Sequence, residues 1–318
     1  MSNNKLSHAT NNGKHATLII AHAQQELLET LCELIDHERI EIFIHIDKKW
    51  KSFDEAHLRE RVKFSTLKIL DTRIDVQWGS HTQIWCELAL LKEAAKTPHD
   101  YYHLLSGVDL PLKTPDKILN FFDENAGKEF VQFVQQNRVD ERTHNRFRHY
   151  HFFQQILGRK TNLFPLRLIE RALLITQKIL KINRVRKGTR VFSKGAQWFS
   201  ITQDLANYVL SEEKWIRKTF WATNCCDEVF LQTLILNSDF KNNLFHQTFD
   251  DSCKSFTRLI DWKRGGPYTF KSSDYDELIN SPMLFARKFD LNQDAEIIFK
   301  LRDFLKTTRE RKSCGNGK

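Results

Sequence analysis

Several groups of side chains in this 318-residue chain have the types and spacing to do chemistry. Tyr101 to Thr114 (YYHLLSGVDLPLKT) is an apolar run of strand length that breaks at Ser106-Gly107, offers one carboxylate at Asp109 and is stopped by Pro111. In an open parallel sheet ligands sit beyond the carboxyl ends of strands, so this turn reads as a binding edge or as an ordinary strand-to-helix connection. Asp47, at the polar end of EIFIHID, is placed in the same way. Two carboxylates at parallel strand ends suit a nucleotide; each alone also suits a turn or a cap. Asp227-Glu228 opens a helical pattern, where Asp227 fits a cap or first-turn residue that complements the helix dipole. Glu228 can face a cleft from there as a general base.

The cations are equally grouped. Arg287-Lys288 stands between aromatics in FARKFD, and Lys263-Arg264 forms a basic turn before a Gly-Gly-Pro bend. Trp78-Gly79-Ser80 precedes a helix whose free backbone N–H groups can meet an anion or a ribose. Gln197-Trp198 lies in a Gly-led aromatic stretch, KGAQWFSI. Arg146 and Arg148 belong to RTHNRFRHYHFF, a mixture of Arg, His and aromatics that suits sugars, RNA or a plain surface loop. Asp274-Tyr275-Asp276 has the form D-x-D but opens a helix, so capping explains it better.

The elements that must position these residues alternate. Strands are read at 16–23, 41–47, 67–70, 101–106 and 129–133, with helices between them whose apolar residues fall on one face, as at Leu27, Leu28, Leu31, Leu34 and Ile35. A further strand is read at 194–201, a last strand, a basic turn and a Gly-Gly-Pro bend within 258–270, and helices near 202–210, 227–231 and 293–305. This alternation predicts an α/β chain with a mostly parallel sheet flanked by helices, in a single domain. The expected division is a disordered tail at 1–14, a domain over 15–306 and a frayed tail at 307–318.

No G-x-G-x-x-G follows a strand and no G-x-x-x-x-G-K-[ST] occurs, which argues against dinucleotide and P-loop chemistry. Cysteines 32, 86, 225, 226, 253 and 314 lack metal-like pairing and are expected to be reduced thiols. Without a secretory leader or an apolar run near the ~20 residues that cross a bilayer, the chain is expected in the cytoplasm. The net charge of +9 is concentrated: between Arg159 and Arg190 ten Lys/Arg face a single Glu170. Nucleic-acid binding over the whole surface is therefore not expected. Within that segment Arg167, Arg171 and Lys178 share one helical face and Leu166, Ile169, Leu173 and Leu180 another. Such a basic amphipathic helix lies on an anionic membrane surface, or docks on its own domain with the basic face solvated.

The order of IIAH, IHIDKK, WGS, LLSGVDLPLKT, KGAQWF, CCDE and FARKFD resembles the core-2/I-branching β-1,6-N-acetylglucosaminyltransferase family, which also holds the peptide xylosyltransferases. The resemblance runs from His15 to Asp290 and is greatest to short bacterial members. It implies a GT-A fold and inverting transfer from a UDP-sugar without a metal cofactor. Glu228 matches the family's catalytic base, Asp47 the uracil contact, and Trp78-Gly79 lies near the nucleotide. Gln197 and Trp198 match the sugar pocket, and Lys288 a basic residue on the diphosphate. Arg264 falls near a second family arginine, offset by about a residue. Ser106 stands where some animal members have cysteine.

The sequence adds its own support for metal-free chemistry, because the strand end where a D-x-D is expected offers Asp109 alone. Fixed cations must then meet the leaving diphosphate: Arg287 and Lys288 first, Lys263 or Arg264 behind them. Asp109 and Ser106 are left to shape the donor pocket, and Asp227, Arg146 and Arg148 to meet sugar or acceptor. The expectation is transfer of N-acetylglucosamine, xylose or another hexose to a glycan or lipid-linked glycan in surface polysaccharide synthesis, at the inner face of the plasma membrane. The rival is a non-catalytic glycan- or nucleic-acid-binding module that uses the 142–190 region.

Overall fold

The computed structural model describes residues 13–135, 141–158, 163–185 and 190–315; residues 1–12 of the tail read at 1–14, and positions 159–162 and 186–189 of the basic segment, lie outside the described residues. Among the described residues there are nine strands: β1 His15–Ala21, β2 Ile40–Ile46, β3 Thr66–Ile69, β4 Tyr101–Ser106, β5 Asp109–Pro111, β6 Phe130–Val131, β7 Phe199–Thr202, β8 Arg258–Ile260 and β9 Phe285–Arg287. Six of them form a sheet in the order β3-β2-β1-β4-β7-β6. The β3-β2-β1-β4 part is parallel, and β7 and β6 close it antiparallel. This is the single α/β domain with a mostly parallel, helix-flanked sheet that the alternating pattern predicts.

The parallel strands read as nearly unbroken apolar runs because both of their faces are covered. One cluster packs Ile19, Ile42 and Ile44 against Leu27, Leu31, Ile118 and Phe122, and against Ile297 and Leu301 of the last helix. The other packs Leu18, Phe43 and Leu104 against Ile84, Leu88 and Leu91, and against Leu205 and Phe230. Burying each such side chain contributes about 1.5–3 kcal/mol before ordering costs, so the sheet is the stiff part on which the loops at its end are hung.

A second sheet was not legible beforehand. Its order is β5-β9-β8, with Asp109 opposite Arg287 and Ile260 opposite Arg287. Fully buried Arg258 ties the two sheets together, donating to the carbonyls of Leu104 (3.2 Å), Phe199 (2.5 Å) and Phe256 (2.5 Å) and to Ser200 Oγ (3.1 Å). Burial lowers its pKa to about 9, with Asp109 opposing.

Three sequence expectations need correction. The long strand expected to begin at Lys194 is irregular until Phe199, where β7 begins. Residues 142–148 are helical, within Glu141–Arg148. The last helix, Ala295–Gly315, continues past 307, where fraying was expected. Lys306 Nζ meets Glu33 at 2.5 Å and Arg309 Nη1 donates to the Asp36 carbonyl at 3.0 Å, so the extra turns are tied to the helix Gln25–Ile35 and its end.

Candidate active site

The carboxyl ends of β1, β2 and β4 converge, as Asp47 N–H donates to the Ala21 carbonyl and Gly107 N–H to that of Ile20, at 2.8 and 2.9 Å. Glu228 approaches this edge from a short 3-10 turn, Cys226–Glu228, rather than from the first turn of a regular helix, which starts at Phe230. Its carboxylate is about one-third exposed, and both nearby cations meet the same oxygen: Lys194 Nζ at 3.2 Å and Arg146 Nη1 at 3.3 Å from Oε2. The loop is fixed from below, where Gly195 N–H donates to the Glu228 carbonyl at 2.9 Å. A one-third-exposed carboxylate clamped through one oxygen can accept a proton at the other.

Asp227 turns inward. It is buried and accepts from Gln83 Nε2 at 3.2 Å; burial, then the charge of Glu228, pushes its carboxyl up to about 7. Behind it lies Glu87, fully buried and bonded to Gln197 Nε2 at 2.8 Å, with a pKa raised well above the ordinary carboxylate range by burial and by Asp227. Gln83 and Glu87 are four residues apart on the helix Thr82–Ala94 and so share a face. Gly79 joins this helix to the base: its carbonyl accepts from Cys225 N–H at 2.8 Å. With φ at +70° and a would-be Cβ 3.0 Å from Gln154 Nε2 and 3.1 Å from Asn224 Oδ1, position 79 suits only glycine. Trp78 beside it is half exposed.

The cationic side is built on β9. The Arg287 guanidinium lies 4.0 Å from the ring centre of Trp198 and 3.6 Å from Asp109 Oδ1. Its Nε and Nη1 are sealed from solvent and have no hydrogen-bond partner within the described protein. Asp109 Oδ1 accepts from Ser106 Oγ at 2.7 Å and Oδ2 from Ser106 N–H at 3.0 Å, so Asp109 braces its own turn and aims Arg287. Lys288 follows, half buried. His22, just past β1, is reached by solvent, yet desolvation lowers its pKa; Asp47 opposes this, and Lys49, Arg287 and Lys288 lower it further. His22, Asp47, Arg287 and Lys288 thus belong to one electrostatic neighbourhood.

Several expected residues have other duties. Asp47 is buried, accepting from Lys49 N–H (2.7 Å), Lys49 Nζ (3.0 Å) and Val76 N–H (3.2 Å); it organises its loop instead of presenting a free carboxylate. Arg264 is held by Asp261, by Asp274 at 2.6 Å and by Glu277 at 2.8 Å, and Lys263 is exposed on the same turn. Asp274 accepts from Lys271 N–H at 2.8 Å, the capping role read from the sequence. Arg148 is two positions past Arg146, so the helical period turns it away from Glu228.

The residues missed were Lys194, His22, Gln83 and Glu87. Glu87 had a signal: it falls three after Ile84 and four before Leu91, on the apolar face. Lys194 opens KGAQWF and His22 closes IIAH, motifs read without their polar ends. Among the described residues one grouping has metal-like spacing, His15, Asp100 and Asp123, with ligand atoms within 4.8 Å of one another. It lies at the opposite end of β1 and β4, where Arg39 already holds both oxygens of Asp123 at 2.8 and 2.9 Å. Cys32, Cys86, Cys225, Cys226 and Cys253 are free thiols.

A family model described as Branch: Core-2/I-Branching enzyme matches residues 16–280. Xylosyltransferase 2 of Rattus norvegicus is 24% identical over 309 residues, covering 89% of this chain and 32% of the relative. Xylosyltransferase 1 of Homo sapiens is 24% identical over 316 residues, covering 91% and 30%. The chain therefore spans about a third of the length of these curated relatives. A crystal structure of mouse xyloside xylosyltransferase 1 in its apo form is 12% identical with a TM-score of 0.36, covering 86% of this chain and 96% of that one. That likeness is too loose to add to the architecture described above.

Proposed function

The chain belongs to the Core-2/I-Branching enzyme family, and on that premise we propose that it is an inverting glycosyltransferase moving a sugar from a UDP-sugar to a hydroxyl of a glycan or lipid-linked glycan. The observation that carries this reading is the pairing of a clamped, one-third-exposed carboxylate, Glu228, with a partly buried and under-bonded cation, Arg287, on β9 of the second sheet. The stretch from Lys194 to Trp198 bridges them, since Lys194 meets Glu228 and Trp198 stacks on Arg287.

In the proposed step Glu228 Oε1 takes the proton of the acceptor hydroxyl as its oxygen attacks the anomeric carbon from the face opposite UDP. The bond from that carbon to the diphosphate oxygen breaks, and the electron pair leaves with UDP. Arg287 and Lys288 meet the charge that develops on the diphosphate, which supports a reaction needing no divalent ion. Lysines and arginines held by the fold can do this without reorganising as the charge moves. The donor sugar is N-acetylglucosamine, xylose or another hexose.

A thermal-shift screen of UDP-sugars identifies the donor, because a ligand of the folded state alone raises its apparent stability. With that donor, Glu228→Gln should lower transfer by about 10²–10⁴-fold while UDP affinity stays within about twofold. Substantial residual turnover removes the base assignment, and no shift with any UDP-sugar removes the donor class.

A further inference from the structure

The helix Phe164–Ile179 is mounted inside out. The side chains it buries are polar: Gln177 donates to the Tyr150 carbonyl at 2.9 Å and accepts from Tyr150 N–H at 2.7 Å, and Glu170 accepts from Phe153 N–H at 3.3 Å and faces His151 Nδ1 at 3.6 Å. Leu166, Leu173 and Leu174 flank these contacts, half buried. The opposite face carries Phe164, Leu168, Ile175 and Ile179, at i, i+4, i+11 and i+15, and these are 50–73% exposed. At about 100° per residue they form one stripe. Leu163, Ile169 and Leu180 add exposed apolar surface beside it.

Arg167, Arg171 and Lys178, spaced i, i+4 and i+11, run along one flank of that stripe and are exposed. Lys181 follows, also exposed. From 163 to 185 the single acidic residue is Glu170, which is turned inward. An outward face that is apolar along its centre, cationic along its edge and without acids complements one kind of surface: a bilayer with anionic headgroups. Half-exposed Phe152 and Trp221, with rings 5.9 Å apart, sit beside the seat of the helix and suit the headgroup level. No helix among the described residues is long and apolar enough to cross a membrane.

We infer that this helix lies in the plane of an anionic membrane surface and docks the chain there through Phe164, Leu168, Ile175 and Ile179, with Arg167, Arg171 and Lys178 on the headgroups. The seat then has a consequence for the site. Residues 149–154 hold the helix on one side; on the other they continue from the helix bearing Arg146 and reach the Trp78 carbonyl through Gln154 Nε2 at 3.1 Å. A bilayer under the helix borders the rim of the cleft at Trp78, and brings the glycan of a lipid-linked acceptor toward Glu228. That consequence rests on the proposed function; the docking does not.

Flotation of the full chain with phosphatidylcholine vesicles, with and without about 30 mol% phosphatidylglycerol, tests it. The chain should float with the anionic vesicles and stay behind with the neutral ones. Leu168→Ser/Ile175→Ser/Ile179→Ser should abolish flotation, and Arg167→Gln/Arg171→Gln/Lys178→Gln should weaken anionic partitioning by tenfold to roughly a hundredfold. All six positions are exposed, so unchanged melting temperatures and UDP affinities keep misfolding out of the comparison. Glu228→Gln should float like the wild type, which separates docking from catalysis. Equal partitioning into neutral and anionic vesicles overturns the inference. So does a stable dimer in sedimentation that the serine variant dissociates, because the stripe would then be covered by a second copy.

Discussion

The guanidinium of Arg287 lies over the ring of Trp198, 4.0 Å from its centre, while Asp109 faces it at 3.6 Å. One carboxylate and one aromatic face leave most of a buried fork of donors unbonded, and a buried unmade hydrogen bond costs about 1–3 kcal/mol. An oxyanion arriving at this edge would remove that cost, which is why the proposed diphosphate contact is placed on Arg287.

Arg287→Ala should therefore weaken UDP binding at least about tenfold, or about 1.4 kcal/mol. Arg287→Lys should recover only part of it, because lysine keeps the charge and loses the planar fork and the stack on Trp198. Isothermal titration with UDP measures both. Affinity within twofold of wild type for the alanine variant would take the diphosphate away from β9.

Lys194 and Arg146 meet the same oxygen of Glu228, at 3.2 and 3.3 Å, and come from stretches far apart in the chain. Their shared choice of Oε2 orients the carboxylate and leaves Oε1 outside both contacts, as the proposed base role requires. Lys194→Ala and Arg146→Ala should each lower kcat by about tenfold or more, since a carboxylate free to rotate loses near-attack geometry. UDP affinity should stay near wild type. A loss confined to donor KM would instead make these cations part of the diphosphate site.

What could be read in advance follows from where the information lies. β1, β2 and β4 announce themselves because a strand covered on both faces is an apolar run, and their polar ends lie at the edge where the candidate site is built. β5 and β9 are three residues each, too short for a period, and their pairing joins Asp109 to Arg287 across most of the chain. The Glu228 pairs with Lys194 and Arg146 are likewise long-range and leave no local trace. The helix Phe164–Ile179 shows a different limit. Its period told which residues share a face, but the side that docks was decided by Glu170 and Gln177, which satisfy the backbone of 150–153.

The buried acids make stability depend on pH with a definite sign. Asp227 keeps its proton up to about 7 in the folded chain, through burial and then Glu228, and releases it near the ordinary carboxylate value of about 4 when unfolded. Between these values the folded state binds more protons, so stability falls as pH rises through that window. Glu129, pushed to about 7 by burial, acts in the same direction, while neutral buried His45 and His151, lowered to about 4 by burial, act oppositely below about 6.5. The difference between wild type and Asp227→Asn isolates one group, and asparagine can still accept from Gln83. The variant's melting temperature should gain on the wild type from pH 5 to 8. A flat difference would mean that Asp227 is charged throughout.

Asp109 bears on the proposal that no metal is needed. Both of its oxygens accept from Ser106, at 2.7 and 3.0 Å, and Oδ1 also faces Arg287, so a divalent ion would have to displace bonds that hold the turn itself. In the proposed step Arg287 supplies the charge that an ion would otherwise bring. Transfer should accordingly survive EDTA within about twofold and gain no more than that from added Mn²⁺, a change below roughly 0.5 kcal/mol in the barrier. Asp109→Asn should lower stability by about 1–3 kcal/mol, as the amide cannot accept from both groups of Ser106, and should lower donor affinity through a misaimed Arg287. A strict Mn²⁺ requirement, or an Asn variant that binds UDP as wild type does, would show that the charge of the departing diphosphate is met elsewhere.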